Sequence, residues 1–375
     1  MKNYFIYGFL LLSSLFFSFL VIPHEEHKSL AIGEKAPDFS LLGVDGKTYT
    51  LNSFKTAKIL VVVFTCNHCP TAQAYEDRLI QLTKDFSDKG VSFLAIMPND
   101  PKAIRLDELG YTDLGDSYAD MKVRASEKHF NFPYLYDGDH QTVSRAYGPV
   151  ATPHVFIFDQ DRKLVYSGRV DDVENPKKTP NVQDTRNAIN SLLKNEKPNP
   201  STTKVFGCSV KWAEKENWRE KAELDWAAEP VKIDTIGLDR LKEIIHNSSD
   251  KLRLINVWAT WCGPCLNEFP DFLTMNRMYR RRDFEIITIS ADDPTKLSKA
   301  LKFLKQSQAS TTNFIFNQDN KYKLIEAIDP KWSGALPYTL LVEPGGKIVY
   351  SNQGPVQAQE LKKIIVEDPY IGRYY

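Results

Sequence analysis

Trp261-Cys262-Gly263-Pro264-Cys265 follows an apolar run from Leu252 to Trp258. Two cysteines separated by two residues, at a strand-to-helix junction, form a dithiol that can close into a small disulfide ring. A helix starting there holds Cys262 at its positive end, where free N–H groups and the macrodipole favour thiolate over thiol. Cys265, one turn further in, is placed to attack a mixed disulfide formed on Cys262 and release the product. That is thiol–disulfide exchange, with Cys262 as nucleophile and Cys265 as resolver. The alternatives are half a zinc site and a structural disulfide. A zinc ribbon needs a second ligand pair at suitable spacing, and nothing near Cys265 supplies one.

The longer run Asn256-Val257-Trp258-Ala259-Thr260-Trp261-Cys262-Gly263-Pro264-Cys265-Leu266-Asn267-Glu268-Phe269-Pro270 resembles the TlpA/ResA-like thiol-disulfide oxidoreductases of the thioredoxin superfamily. The resemblance implies that Glu268, three residues after the second cysteine, accepts a proton for Cys265. A carboxylate one helical turn from a thiol is a sensible general base, although a solvated helix glutamate is the plainer alternative. Ordinary thioredoxin carries a buried aspartate on the preceding strand, where this chain has Asn256. Further on, Gly334-Ala335-Leu336-Pro337-Tyr338 leads into the β-rich Thr339 to Val342. A proline entering a buried strand is out of place on propensity alone. The resemblance makes Pro337 the cis-proline beside the dithiol, with Leu336 pairing to substrate backbone.

The 375 residues suggest two domains. Basic and acidic side chains balance at 48 each, so neither nucleic acid nor an anionic membrane is indicated as a partner. Residues 1–30 read differently, because Tyr4 to Ile22 is almost uncharged and rich in Phe and Leu. The segment reads as a secretory signal or N-terminal membrane anchor. Either puts the body outside the cytoplasm, in the periplasm or at a membrane surface, where a dithiol needs a dedicated electron donor. Membrane contact is expected through that segment alone.

Gly33-Glu34-Lys35-Ala36-Pro37-Asp38-Phe39 resembles the opening of AhpC/TSA-type, peroxiredoxin-like redoxins. Lys58 to Thr65 reads as a buried central strand and delivers Cys66-Asn67-His68-Cys69-Pro70 to a helix running to about Asp85. The arrangement of strand, Cys-x-x-Cys and helix thus occurs twice. Ala151-Thr152-Pro153-His154 makes Pro153 the counterpart of Pro337. Gly207-Cys208-Ser209 resembles the phrase that closes such a redoxin domain. Further strands are expected at Val91–Met97, Val155–Phe158, Leu164–Ser167, Phe284–Ser290, Phe314–Phe316 and Ile348–Ser351, with helices at Leu238–Ile245 and Lys296–Leu304. The expected fold is α/β, two tandem thioredoxin-like domains, each a central mixed sheet flanked by helices. The boundaries are 31–213 and 231–375, joined by a charged connector over 214–230. Arg280-Arg281-Arg282 reads as a helix-end cap or a solvated patch.

The candidate catalytic residues are therefore Cys262, Cys265, Glu268 and Pro337, mirrored by Cys66, Cys69, His68 and Pro153. No cofactor is called for, and the clients are protein disulfides or dithiols. His68 can stabilise a neighbouring thiolate and raise the potential of its pair, which suggests electron flow from Cys262/Cys265 to Cys66/Cys69. Independent action of the two pairs is the alternative. Another class is copper or zinc handling of the Sco type, with His68 or His154 beside the first thiols. A thiol peroxidase would place a proline and threonine several residues upstream of its cysteine, but Thr65 adjoins Cys66 and Leu60–Thr65 holds no proline. Cys208 reads as a small buried side chain or as a third thiol that meets Cys66 or Cys69.

Overall fold

The computed structural model describes residues 28–318 and 320–373. The expected signal or anchor falls almost wholly outside the described residues. Among the described residues, no helix is long and apolar enough to cross a membrane.

Two sheets form, one in each half. The first contains β1 (Ser40–Gly43), β2 (Thr48–Thr50), β3 (Ile59–Phe64), β4 (Val91–Met97), β5 (Tyr134–Tyr136), β6 (His154–Phe158) and β7 (Leu164–Gly168). Their order is β2-β1-β5-β4-β3-β6-β7. The second contains β8 (Asp234–Ile236), β9 (Leu252–Trp258), β10 (Phe284–Ser290), β11 (Thr312–Phe316), β12 (Tyr338–Val342) and β13 (Ile348–Gln353), in the order β13-β12-β9-β10-β11-β8. A common unit recurs. A central strand pairs in parallel with the strand that follows its helix, and on its other edge with an antiparallel hairpin. Each half is thus a thioredoxin-like mixed sheet covered on both faces.

Both central strands are buried along their whole length, and β3 is accordingly a continuous apolar run, whereas β9 admits Arg253 and Asn256 because each is paired, with Glu285 and with Glu268 and Thr339. In the first half, Ile59, Val61 and Val63 meet α1 (Pro70–Phe86), α2 (Tyr118–Glu127) and α4 (Asp184–Leu193). Leu60, Val62 and Phe64 face the opposite layer, which includes α3 (Thr142–Tyr147). In the second half, α6 (Leu238–His246) and α9 (Lys321–Ile328) cover one face of the sheet. The other is covered by α7 (Gly263–Tyr279), α8 (Leu297–Gln306) and α10 (Ala358–Glu367). The charged stretch between the halves forms α5 (Glu216–Ala227).

The arginine triplet does more than end a helix. Arg280 does stand at the C-cap of α7, but its guanidinium pairs with both oxygens of Glu229, beyond α5. Arg281 reaches Asp107, and Arg282 donates to the Gly110 carbonyl at 2.7 Å while lying over the Tyr111 ring. Leu106 and Leu109 pack into the second half's core beside them. Together these contacts fix one half against the other, a role that no local pattern announces.

One buried ion pair positions the first dithiol's helix. The Arg124 guanidinium of α2 grips Glu76 of α1 in a bidentate contact at 2.8 and 2.7 Å. Burial raises the Glu76 carboxyl while Arg124 opposes the shift. Removing one partner of such a pair leaves an uncompensated buried charge. Arg124→Ala is expected to destabilise the first half by about 3 kcal/mol in urea unfolding. Replacing both residues with apolar ones should recover most of that loss. A loss under about 1 kcal/mol for Arg124→Ala would contradict this assignment.

Candidate active site

In the second half, β9 ends at Trp258 and the chain turns through Ala259–Trp261. The buried Asp292 carboxylate holds that turn, accepting from the Thr260 N–H at 2.9 Å and its hydroxyl at 2.8 Å. Cys262 is the N-cap of α7, and Pro264 fits the first turn, where a missing N–H costs nothing. The Cys265 N–H donates to Cys262 Sγ at 3.3 Å, and a disulfide joins the two residues. Trp261 beside them is 68% exposed.

Glu268 lies one turn beyond Cys265 and is buried. One carboxyl oxygen accepts from the Val356 N–H at 2.9 Å, the other from Asn256 Nδ2 at 3.3 Å. Burial pushes this carboxyl up to about 7, against both hydrogen bonds. Asn256 Nδ2 also donates to Thr339 on the neighbouring β12. A neutral amide at 256 therefore supports the acid without adding a second carboxylate. The Leu336–Pro337 peptide is cis, and Leu336 packs against the cluster that holds both cysteines. Among the described residues no hydrogen bond engages the Leu336 amide. Cys262, Cys265, Glu268 and Pro337 are thus brought together at the carboxyl end of β9.

The first half shares the topology but not the register. Here α1 begins at Pro70, so Cys69 rather than Cys66 is the N-cap. Cys66, Cys69 and Cys208 are free thiols. Cys66 Sγ is 3.2 Å from the Thr152 hydroxyl, and Cys69 Sγ lies 3.4 Å from the Thr152 carbonyl. The Thr152–Pro153 peptide is cis. Burial opposes ionisation of Cys69, yet hydrogen bonds from Cys208 and Cys66, the His68 charge and the Ala72 N–H hold its thiol well below the usual range. Burial pushes Cys66 up instead. The favoured thiolate is the second cysteine of this pair, so roles cannot be copied from Cys262 and Cys265 by position.

His68 has a partner that the sequence did not reveal. The buried Asp116 carboxylate accepts from His68 Nδ1 at 2.6 Å, Asn99 Nδ2 at 2.7 Å, and the Asn67 and His68 N–H groups at 2.9 and 3.0 Å. Burial alone would lower the His68 imidazolium, but Asp116 outweighs it and the net shift is upward. One donor atom each from Cys66, His68 and Asp116 lies within 4.8 Å of the others. Both Asp116 oxygens are already engaged, which leaves that carboxylate little capacity for an ion.

His154 does not belong to this cluster. Period-two alternation puts it with Phe156 on the face of β6 opposite α1, where its ring nitrogens meet the Val150 N–H and the Ser167 hydroxyl. Burial lowers it to about 3, so it is neutral. The sequence-stated option of His154 as a ligand beside the thiols is corrected on that ground.

A sequence profile of the Redoxin family matches residues 31–189 and 245–365, most of the chain. Thiol-disulfide oxidoreductase ResA of Bacillus cereus is 26% identical over 148 residues, covering 38% of this chain and 78% of that relative. Thiol:disulfide interchange protein DsbE of Allochromatium vinosum is 30% identical over 124 residues, 33% of this chain and 62% of the relative. Among solved structures, an uncharacterized conserved protein from Geobacillus kaustophilus is 39% identical and covers 48% of this chain and 92% of its own, at a TM-score of 0.43.

Glu268 generates a pH signature. The folded state holds its proton to about 7, whereas the ordinary value is 4.5, so folding takes up a proton between those limits. Stability therefore declines as pH rises through that window. Glu268→Gln is expected to remove that decline, seen as a smaller drop in thermal midpoint between pH 5 and pH 8 than in wild type, on the order of the proton linkage. The same variant should slow resolution of a mixed disulfide on Cys262 at neutral pH by about ten- to a hundredfold. Identical pH profiles for variant and wild type would refute the role.

Proposed function

Because the chain belongs to the Redoxin family and is a thiol–disulfide oxidoreductase, we propose that it reduces protein disulfides outside the cytoplasm from two sites. The observation that carries this reading is the Cys262–Cys265 pair at a helix N-cap beside a buried acid that titrates near neutrality. In the proposed cycle Cys262 attacks a client disulfide and forms a mixed disulfide. Cys265 gives its proton to the Glu268 carboxylate, attacks Cys262 and expels the client thiol. The exposed Trp261 and the open Leu336 amide support an extended client segment lying along the cis-proline. The two sites belong to units at 31–213 and 231–375, with 214–230 connecting them.

Cys66 and Cys69 form the second dithiol, with Cys69 as the favoured thiolate. Electrons pass to them from Cys262/Cys265 in this proposal. Among the described residues no disulfide joins the two halves, and in this proposal transfer goes through a carrier or a rearrangement. A secretory or anchoring role for residues 1–30 supports the location, and a donor at the membrane would restore the thiols. The convergence of Cys66, His68 and Asp116, together with a buried His68 Nε2 that has no hydrogen-bond partner among the described residues, favours a soft-metal role, and the saturation of Asp116 weighs against it.

The test is reduction of insulin disulfides by dithiothreitol with full-length wild type, Cys262→Ser and Cys66→Ser. Cys262→Ser is expected to lose nearly all activity, with a smaller loss in Cys66→Ser. Equal activity in wild type and Cys262→Ser would overturn the assignment. Recovery of the full chain in the cytoplasmic fraction would remove the proposed location, and stoichiometric zinc or copper in protein purified reduced would favour the metal reading.

A further inference from the structure

Residues 201–213 are laid across the end of the sheet where the first dithiol sits. The Ser167 N–H donates to the Ser201 carbonyl and the Thr203 N–H to the Ser167 carbonyl, tying the tail to the edge strand β7. At its far end the Lys211 N–H donates to Asn99 Oδ1 and the Ala213 N–H to Gln141 Oε1, at 2.8 and 2.9 Å. Between these anchors, Cys208 pairs antiparallel with Thr152, whose N–H donates to the Cys208 carbonyl at 2.9 Å. The tail thus occupies the amide just before Pro153, the counterpart of the one left open at Leu336.

Gly207 makes this approach possible. Its φ is +142°, and a Cβ there would stand 2.0 Å from the Thr152 carbonyl oxygen. The close contact brings the Cys208 N–H to 3.3 Å from Cys69 Sγ, while Thr152 gathers the other pair, its hydroxyl 3.2 Å from Cys66 Sγ and its carbonyl 3.4 Å from Cys69 Sγ. Cys69 therefore stands between two thiols, either of which can reach it.

We propose that Cys208 is a third redox thiol of the first site, and that a disulfide made there moves between Cys66–Cys69 and Cys69–Cys208. This rests on the reading that Cys66 and Cys69 exchange disulfides with a client. In the first step the client S–S bond breaks to two thiols, while Cys66 and Cys69 together give up two electrons and two protons and join. The neighbouring Cys69 sulfur and burial push the Cys208 thiol up while Cys69 is free; once Cys69 is joined to Cys66 its charge is gone, and Cys208 Sγ, as thiolate, then attacks Cys69 Sγ. The Cys66–Cys69 bond breaks, Cys66 leaves as thiolate and takes up the proton that Cys208 lost. No electron leaves the protein in this second step, and one disulfide replaces another. Cys66 is returned as a free thiol while the oxidising equivalent is stored on the tail, where a reductant meets Cys69–Cys208.

The test uses full-length wild type, reduced, desalted, and exposed to an excess of oxidised glutathione, enough to oxidise both halves, before acid quench, alkylation and trypsin. Cleavage at Lys58, Arg78, Lys204 and Lys211 places Cys66 and Cys69 in one peptide and Cys208 in another. The expected product is a disulfide linking peptides 59–78 and 205–211, with the alkyl label on Cys66. The link should persist in Cys66→Ser and be lost in Cys208→Ala. Oxidation confined to Cys66–Cys69, with Cys208 alkylated at every time point, overturns the proposal and leaves the two-cysteine reading intact. Full alkylation of Cys66, Cys69 and Cys208 while Cys262 and Cys265 oxidise overturns both.

Discussion

A helix that starts straight after a buried strand leaves its first N–H groups without backbone partners, and both halves of this chain deliver a sulfur to that position. The rest of each site follows from the sheet. A central strand buried on both faces fixes where its carboxyl end lies, and the antiparallel hairpin on its flank begins at the same end. That hairpin carries the proline, so a thiol from one connection and a proline from another must meet. Chemistry is concentrated there because those connections can vary while the sheet cannot.

Two sites built on one topology have diverged through their supporting groups. At the second site a single buried acid, steadied by an amide and a backbone N–H, is poised near neutrality one turn beyond Cys265. At the first, an imidazole and a carboxylate are locked to each other and the helix starts at the second cysteine. There the favoured thiolate is the second cysteine of the motif, the one that caps the helix. The first site is also crossed by its own chain, whereas the second leaves its cis-proline loop open.

Much of this was legible before any coordinates. The run ending at Phe64 is apolar without alternation, as a doubly covered strand is, the one ending at Trp258 is interrupted only by Arg253 and Asn256, and the strands expected at 91–97 and 284–290 match β4 and β10. Short edge strands such as β2 and β8, at three residues each, carry too little pattern to read. Asp116, Asn99 and Asp292 were missed because a loop acid or amide gains its meaning from groups far away in sequence. The arginine triplet reads as a helix-end cap or solvated patch, and Arg280 does stand at the C-cap of α7, but the triplet's further partners in the connector and the first half could not be read locally. His154 was a different kind of error. Its alternation with Phe156 and Phe158 already assigned it to the face away from the thiols.

The central claim is that the N-cap sulfur of α7 is the attacking group of the second site. The direct measurement is the alkylation rate of each cysteine in the fully reduced chain across pH 5 to 9, resolved by peptide mass. The account predicts that Cys262 reacts ahead of Cys265 and titrates below the ordinary thiol value of about 8.5. Faster labelling of Cys265, or an ordinary thiol titration at Cys262, would contradict it.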